Sequence, residues 1–314
     1  MNILITGGCG FVGTLLTHNL LADGHQLAVV DTQWFGNHIL PNPRLTLLKQ
    51  DVRDVDSIPL EGVDVVIHLA NIANDPGVEL NPTLSWEVNV LATQLLADRA
   101  ARAGVKQFIF ASSGSVYGVK DDPQVTEDLV LVPISAYNKT KMVAERILLS
   151  YADFMQVHCI RPATVCGYSP RMRLDVSVNM LTLQALKNAK MTVFGGDQTR
   201  PNIHINDMIG VYRHFLGKPE LPSGCYNAGF ENISILEIAK MVQTKVPSEI
   251  AISASNDPRS YRQNSDKLLN TGFVQKFCVS NAIDDVIAKF RSGELIDNDQ
   301  CYTVRWMKHL NLQG

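Results

Sequence analysis

The sequence predicts an α/β fold in which a doubly wound parallel sheet carries a smaller, discontinuous α/β lobe on its C-terminal side. Three observations predict it. Short β-rich apolar runs alternate with helical patterns from residue 3 to about 165, a glycine-rich turn separates the first run from the first helical pattern, and the alternation loses its regularity after Pro162. The runs are Ile3 to Ile5, Leu27 to Val30, Leu45 to Leu48, Val63 to Leu69, Phe108 to Ala111 and Val157 to Ile160. Strands that are apolar on both faces and joined through helices form a parallel sheet with right-handed crossovers. Beyond Pro162 come an Arg- and Pro-rich loop, a helix near 176–188, a strand at Met191 to Phe194, and helices near 234–245 and 281–290. The expected division is therefore 1–165 for the first domain and 166–314 mainly for the second. Segments near 203–217 and 250–265 are expected to return to the first.

Composition narrows the function classes. The 314 residues are 46% hydrophobic, enough for a sizeable core. Twenty-eight basic and 31 acidic residues give a net charge of −3 without long charge blocks, which lacks the basic footprint of a nucleic-acid or membrane-surface binder. Six widely spaced cysteines and no clustered histidines argue against a disulfide framework and against a metal site. The chain starts directly in an apolar strand with no leader pattern and no run long enough to span a bilayer, so a cytoplasmic protein is expected.

The first strand runs into Thr6-Gly7-Gly8-Cys9-Gly10-Phe11-Val12-Gly13 and then a helical stretch, Thr14 to Asp23. Glycines there permit a tight turn and let backbone N–H groups approach a pyrophosphate at the positive end of the helix. The spacing reads as GxGxxG from Gly8 or GxxGxxG from Gly7. Asp31 ends the second strand, where a carboxylate accepts hydrogen bonds from adenosine ribose hydroxyls and repels a 2′-phosphate. No Lys or Arg lies in Thr32 to Asn37, so NAD is expected rather than NADP. Asp51 follows the third strand, within reach of an adenine amine or equally as a surface turn acid. These features make the first domain a Rossmann domain.

A second constellation lies at Ser135-Ala136-Tyr137-Asn138-Lys139-Thr140-Lys141, a helix start with Ser135 as candidate N-cap. Tyr137 and Lys141 are four apart and share a face. A phenol with an ordinary pKa of about 10 becomes a useful base near neutrality only where cationic charge stabilises the phenolate. Upstream, Ser112-Ser113-Gly114-Ser115 ends a strand at the sheet edge where such folds bind ligands, placing Ser113 to hydrogen-bond a reacting hydroxyl.

With Gly7, Gly10 and Gly13, Asp31, Asp51, His68-Leu69-Ala70-Asn71, Asn89, the serine segment, and Tyr137 with Lys141, the chain resembles the extended short-chain dehydrogenases/reductases over nearly its whole length. Within them it is similar to the nucleotide-sugar epimerase/dehydratase family, through Arg161-Pro162-Ala163-Thr164-Val165-Cys166-Gly167 and Arg200-Pro201-Asn202-Ile203-His204-Ile205-Asn206-Asp207 as well. The resemblance implies Tyr137 as base, Lys141 as the group that lowers its pKa and holds the nicotinamide ribose, and Ser113 as proton relay. It implies a cofactor set of Gly7, Gly10, Phe11, Val12, Gly13, Asp31, Asp51, Val52, Leu69, Ala70, Asn71, Asn89, Tyr137, Lys141 and Pro162. It also implies a substrate set of Ser113, Ser115, Thr164, Arg171, Arg173, Asn179, Arg200 and Arg259. The arginines suit a diphosphate because a planar fork binds phosphate oxygens bidentately.

Family dehydratases resemble one another in an Asp-Glu pair just after the catalytic hydroxyl residue, and decarboxylases in a glutamate where Ser115 stands. Here Gly114 and Ser115 occupy those positions, which leaves oxidation and reduction at one carbon. The expected function is an NAD-dependent nucleotide-sugar 4-epimerase. A 4-dehydrogenase or ketoreductase using the same groups remains open, as does a dinucleotide sensor without catalysis. Thr164 and Cys166 replace an asparagine and a tyrosine common in relatives, which leaves the sugar and nucleotide open. Helices near 85–103 and 137–153 are apolar on more than one face, and the resemblance implies a homodimer through them.

Overall fold

The computed structural model describes residues 1–254 and 260–312; Arg259, expected to bind substrate, lies outside the described residues. In the N-terminal half the elements run β1 (Asn2–Thr6), α1 (Phe11–Ala22), β2 (Gln26–Asp31), β3 (Leu45–Lys49), β4 (Val65–His68), α2 (Asp75–Leu80), α3 (Pro82–Trp86), α4 (Ala92–Arg102), β5 (Gln107–Ala111), α5 (Ala136–Leu149) and β6 (Gln156–Pro162). There follow β7 (Thr164–Cys166), α6 (Ser177–Asn188), β8 (Lys190–Phe194), β9 (Thr199–His204), α7 (Ile205–Phe215), β10 (Gly224–Ala228), β11 (Glu231–Ser234), α8 (Ile235–Lys245), β12 (Glu249–Ser253), α9 (Asp266–Leu269), α10 (Val279–Arg291) and α11 (Thr303–His309).

Seven strands form the main sheet in the order β10-β6-β5-β4-β1-β2-β3, every neighbouring pair parallel. Alternation along each strand divides the core. Ile3, Ile5, Val65 and Ile67 face Leu16 and Leu20 of α1 and Met208 and Phe215 of α7, while Leu4, Val66, Phe108 and Phe110 face Leu96 and Ala100 of α4 and Ala144 and Leu148 of α5. Burying such a side chain contributes roughly 1.5–3 kcal/mol, so neither helical layer is dispensable. The connection direction reverses between β1 and β4, and the crevice at the C-terminal ends of those strands is the ligand position in open sheets of this kind.

The smaller lobe contains the three-stranded sheet β11-β9-β7 and the pair β12-β8, packed with α6, α8 and α10 around Val178, Leu181, Ile238, Val242 and Ile283. Two expectations need correction. Residues 250–253 do not return to the main sheet, because Ile250 and Ile252 pair in parallel with Met191 and Val193 of β8. Among the described residues, the end of that segment reaches back, where Gln263 Nε2 donates to Arg161 O at 2.7 Å. The helix expected over 85–103 is also interrupted: Glu87–Leu91 forms one wide π turn between α3 and α4. No helix among the described residues is long and apolar enough to cross a membrane.

Candidate active site

A cavity of about 670 Å³ opens at the β1/β4 switch point and extends beneath the smaller lobe. Its floor is the glycine turn. Gly7 has φ +73°, and a Cβ there would lie 2.6 Å from Ala70 N; at Gly13 it would lie 2.3 Å from Gly7 O. Only glycine allows α1 to approach β1 and β4 so closely. Gly10 precedes α1, and no side chain caps the first turn, so the N–H groups of Phe11, Val12 and Gly13 face the cavity as an anion cradle. Asp31 closes the turn from β2, accepting from Cys9 N at 2.9 Å and Gln33 N at 2.7 Å. Burial raises its pKa, and those two backbone donors oppose the shift. An open first helical turn beside a buried acid suits a dinucleotide.

Val52, Leu69, Ala70, Asn71 and Pro162 line the same cavity. Asp51 does too, but both its oxygens are held by Arg53, at 3.1 Å from Nε and 2.9 Å from Nη2. Asn89, also expected on the cofactor side, does not line the cavity. It is buried in the π turn, where Oδ1 accepts from Ile72 N at 2.8 Å and Nδ2 donates to Ile72 O and Thr140 Oγ1. The extra residue in that turn swings Asn89 inward, and the amide fixes the segment after β4 that forms the cavity wall.

The serine, tyrosine and lysine converge from β5 and α5. Ser135 caps α5 by accepting from Asn138 N at 3.1 Å, and its hydroxyl donates to Asp75. One turn later, Tyr137 lines the cavity with Ser113, whose Oγ is 2.7 Å from Ser115 Oγ. Lys141 is 1% exposed and donates to Ala111 O at 2.6 Å, with Nζ 6.0 Å from the Tyr137 ring centroid. Burial pushes the Tyr137 hydroxyl up to about 12, with the Ser113 hydrogen bond pulling it partly back. Burial likewise brings Lys141 down to about 7, opposed by Glu145. Desolvation disfavours both charged forms, and the Ala111 carbonyl holds the ammonium on the Tyr137 side of the cavity.

Glu145, one turn beyond Lys141, escaped sequence reasoning. Its carboxylate is buried against Arg161, at 2.8 Å to both Nε and Nη2, and accepts from Ser112 Oγ. Arg161 Nη1 donates to Tyr117 OH at 2.7 Å, which donates to Asn227 Oδ1 at 2.8 Å. This chain ties α5 to β5, β6 and β10 directly behind the reacting groups. The i, i+4, i+8 spacing of Tyr137, Lys141 and Glu145 was the available signal.

On the opposite wall Thr164, Arg173 and Arg200 line the cavity. Arg173 pairs with Asp175 at 2.9 Å, and its charge favours the Tyr137 phenolate. Asn179 does not reach the cavity: its side chain accepts from Gly167 N and donates to Gly167 O and Arg173 O, holding the loop instead. Arg171 lies away from the serine and tyrosine, over the Phe35 ring at 4.2 Å. Cys166 is buried in the smaller lobe, as a small apolar-like thiol. Tyr212, Tyr261, Trp34 and, from α11, Met307 also line the cavity, without a spacing signal to mark them.

A doubly wound sheet, an uncapped glycine turn, a ribose-side acid and a serine, tyrosine and lysine around one cavity define a dinucleotide-binding enzyme of the short-chain dehydrogenase type. The chain belongs to the NAD dependent epimerase/dehydratase family, whose model matches residues 3–229, and NAD is its cofactor. It is similar to the uncharacterized UDP-glucose epimerase YtcB of Bacillus subtilis, 31% identical over 265 residues that cover 77% of this chain and 81% of that protein. It is 32% identical to UDP-glucuronic acid decarboxylase 1 of Danio rerio over 286 residues, 84% of this chain and 66% of that one. Among solved structures, MoeE5 in complex with UDP-glucose and NAD matches with a TM-score of 0.81 and 26% identity, over 93% of this chain and 99% of that chain.

Proposed function

We propose that this chain is an NAD-dependent epimerase of a nucleoside diphosphate sugar, oxidising and re-reducing C4 through a keto sugar. The observation that carries the reading is the convergence of Ser113, Tyr137 and Lys141 on one cavity, with the Ser115 hydroxyl 2.7 Å from Ser113 where a carboxylate would be needed for decarboxylation. NAD, when bound, accepts the hydride from the sugar carbon and returns it. Ser113 positions the sugar hydroxyl and passes its proton to Tyr137. Lys141, fixed by Ala111 O, supplies the positive charge that favours the phenolate. Rotation of the keto sugar before the hydride returns inverts C4, and Tyr137 gives the proton back, so one base serves both halves of the reaction.

The similarity to YtcB, named as a UDP-glucose epimerase, and to MoeE5, solved with UDP-glucose, supports a UDP-sugar substrate. Arg173 and Arg200, which line the cavity, are assigned to the diphosphate, and Thr164 to the sugar. Asn71, Leu69 and Ala70 are assigned to the cofactor side of the same cavity. A cytoplasmic homodimer is part of the proposal, supported by Leu91 and Leu95, which are 51% and 43% exposed along α4 and the turn before it.

The test incubates the purified protein with a panel of UDP- and dTDP-hexoses and identifies products by NMR. A C4 epimer formed without added NAD or net NADH is expected, and Tyr137→Phe should abolish it while retaining cofactor. Stoichiometric NADH with a released keto sugar would instead establish a dehydrogenase.

A further inference from the structure

Arg171, expected to meet the substrate diphosphate, lines the cavity at the Phe35 end. Its side chain is 5% exposed, its Nε has no hydrogen-bond partner, and among the described residues its hydrogen bond is a long 3.4 Å from Nη1 to Met172 O. The guanidinium stacks on Phe35, four residues beyond Asp31, and both residues line the main cavity with Trp34 at the end of β2. Directly after it, Met172 and Leu174 pack on Phe11, the first residue of α1. The loop from the smaller lobe thus lies across the glycine turn, with Arg171 on the Asp31 side and Arg173 on the Tyr137 side. A second cavity of about 210 Å³, lined by His38, Tyr168 and Glu294, lies behind it.

A buried guanidinium whose Nε has no acceptor is costly in the free protein. Burial and the neighbouring Arg173 charge lower its pKa to about 10, against the pull of Asp175 and Asp31. Such a group persists where a ligand supplies the missing acceptors. Asp31 lies close enough to feel its charge, but among the described residues no hydrogen bond joins the two, and the Asp31 oxygens accept from Cys9 N and Gln33 N. We propose that Arg171 is a cofactor-binding residue, donating to phosphate and ribose oxygens in the adenosine half of NAD while stacked on Phe35. The smaller lobe would then close on the cofactor as well as on the sugar nucleotide, through one loop with an arginine at each end. This rests on the dinucleotide placement argued above, and not on the identity of the sugar or the reaction.

The test compares wild type, Arg171→Met and Arg171→Lys, all stripped of nucleotide, by calorimetric titration with NAD, ADP-ribose, nicotinamide mononucleotide and UDP. Loss of charge-assisted hydrogen bonds predicts about a 10- to 100-fold weaker affinity of Arg171→Met for both NAD and ADP-ribose. Nicotinamide mononucleotide and UDP should be unchanged, and Arg171→Lys, which keeps the charge but loses the fork, should fall between. Thermal unfolding adds a readout that a packing role would move the other way. Without nucleotide, Arg171→Met should melt at or above the wild-type temperature, and its upward shift with ADP-ribose should be smaller. Selective loss of UDP affinity would return Arg171 to the substrate site and overturn the proposal. A lower melting temperature with ADP-ribose affinity intact would make it structural, and if Arg171→Met does not fold, wild-type ADP-ribose affinity in Arg171→Lys overturns it equally. Wild-type protein that binds ADP-ribose but converts no nucleotide sugar would sink the epimerase reading and leave this contact standing.

Discussion

Replacing Lys141 with methionine tests whether the buried ammonium is kept at a cost to the fold. In the free protein, burial lowers the lysine from its ordinary 10.5 to about 7, against the pull of Glu145. The unfolded chain retains a lysine near 10, so between about pH 7 and 10 it binds a proton that the folded chain does not. Stability contributed by this site therefore rises with pH across that window, and the penalty is fully present below pH 7. At 1.36 kcal/mol per pKa unit the depression corresponds to roughly 4–5 kcal/mol. The variant also leaves Ala111 O without its 2.6 Å partner, which takes back about 1–1.5 kcal/mol. Lys141→Met should consequently exceed wild type by about 3 kcal/mol at pH 6.5, and the gap should vanish or reverse by pH 10. Urea denaturation of both proteins at pH 6.5, 8 and 9.5, without nucleotide, gives the difference directly and cancels every other titrating group. A difference that does not vary with pH, or a variant less stable at pH 6.5, would refute the reasoning. The variant should have lost turnover in every case, an instance of stability given up for function.

Two further outcomes are expected. Glu145→Gln leaves the Arg161 guanidinium buried without its carboxylate and should destabilise the fold by about 3–5 kcal/mol, read by thermal unfolding; an unchanged melting temperature would make the pair dispensable. Leu95→Glu puts a charge into the face proposed to meet a second copy, and light scattering should show it monomeric while its circular dichroism stays that of wild type; a persistent dimer would move the interface elsewhere.

The first half of the chain was legible because each local signal agreed with the global arrangement. Ile3 to Ile5, the glycine turn and Asp31 occur in an order that one strand, one helix and one ligand end account for together. Strand β10 was not read: Gly224 to Ala228 is short, carries a glycine and a polar asparagine, and pairs only with β6 at the sheet edge. The π turn at 87–91 answers a tertiary demand, the fixing of Ile72 by Asn89, and no periodicity announces that. Among site residues, those on the glycine turn and on α5 line the cavity because spacing on one element fixes direction. Asn179 and Arg171 stand on or beside an irregular loop, where chain position does not fix which way a side chain points. Spacing likewise places Tyr137 and Lys141 on one face but carries no information about how dry that face is, and burial shifts both groups.

The account stands on hydride leaving and returning to the same sugar carbon under the control of Tyr137. The direct measurement is conversion of a UDP-hexose deuterated at C4, in ordinary water, with the product examined by NMR and mass spectrometry. Full retention of deuterium at C4 of the epimer is expected, with no conversion by Tyr137→Phe. Deuterium lost to solvent, or an epimer inverted at a carbon other than C4, would contradict it.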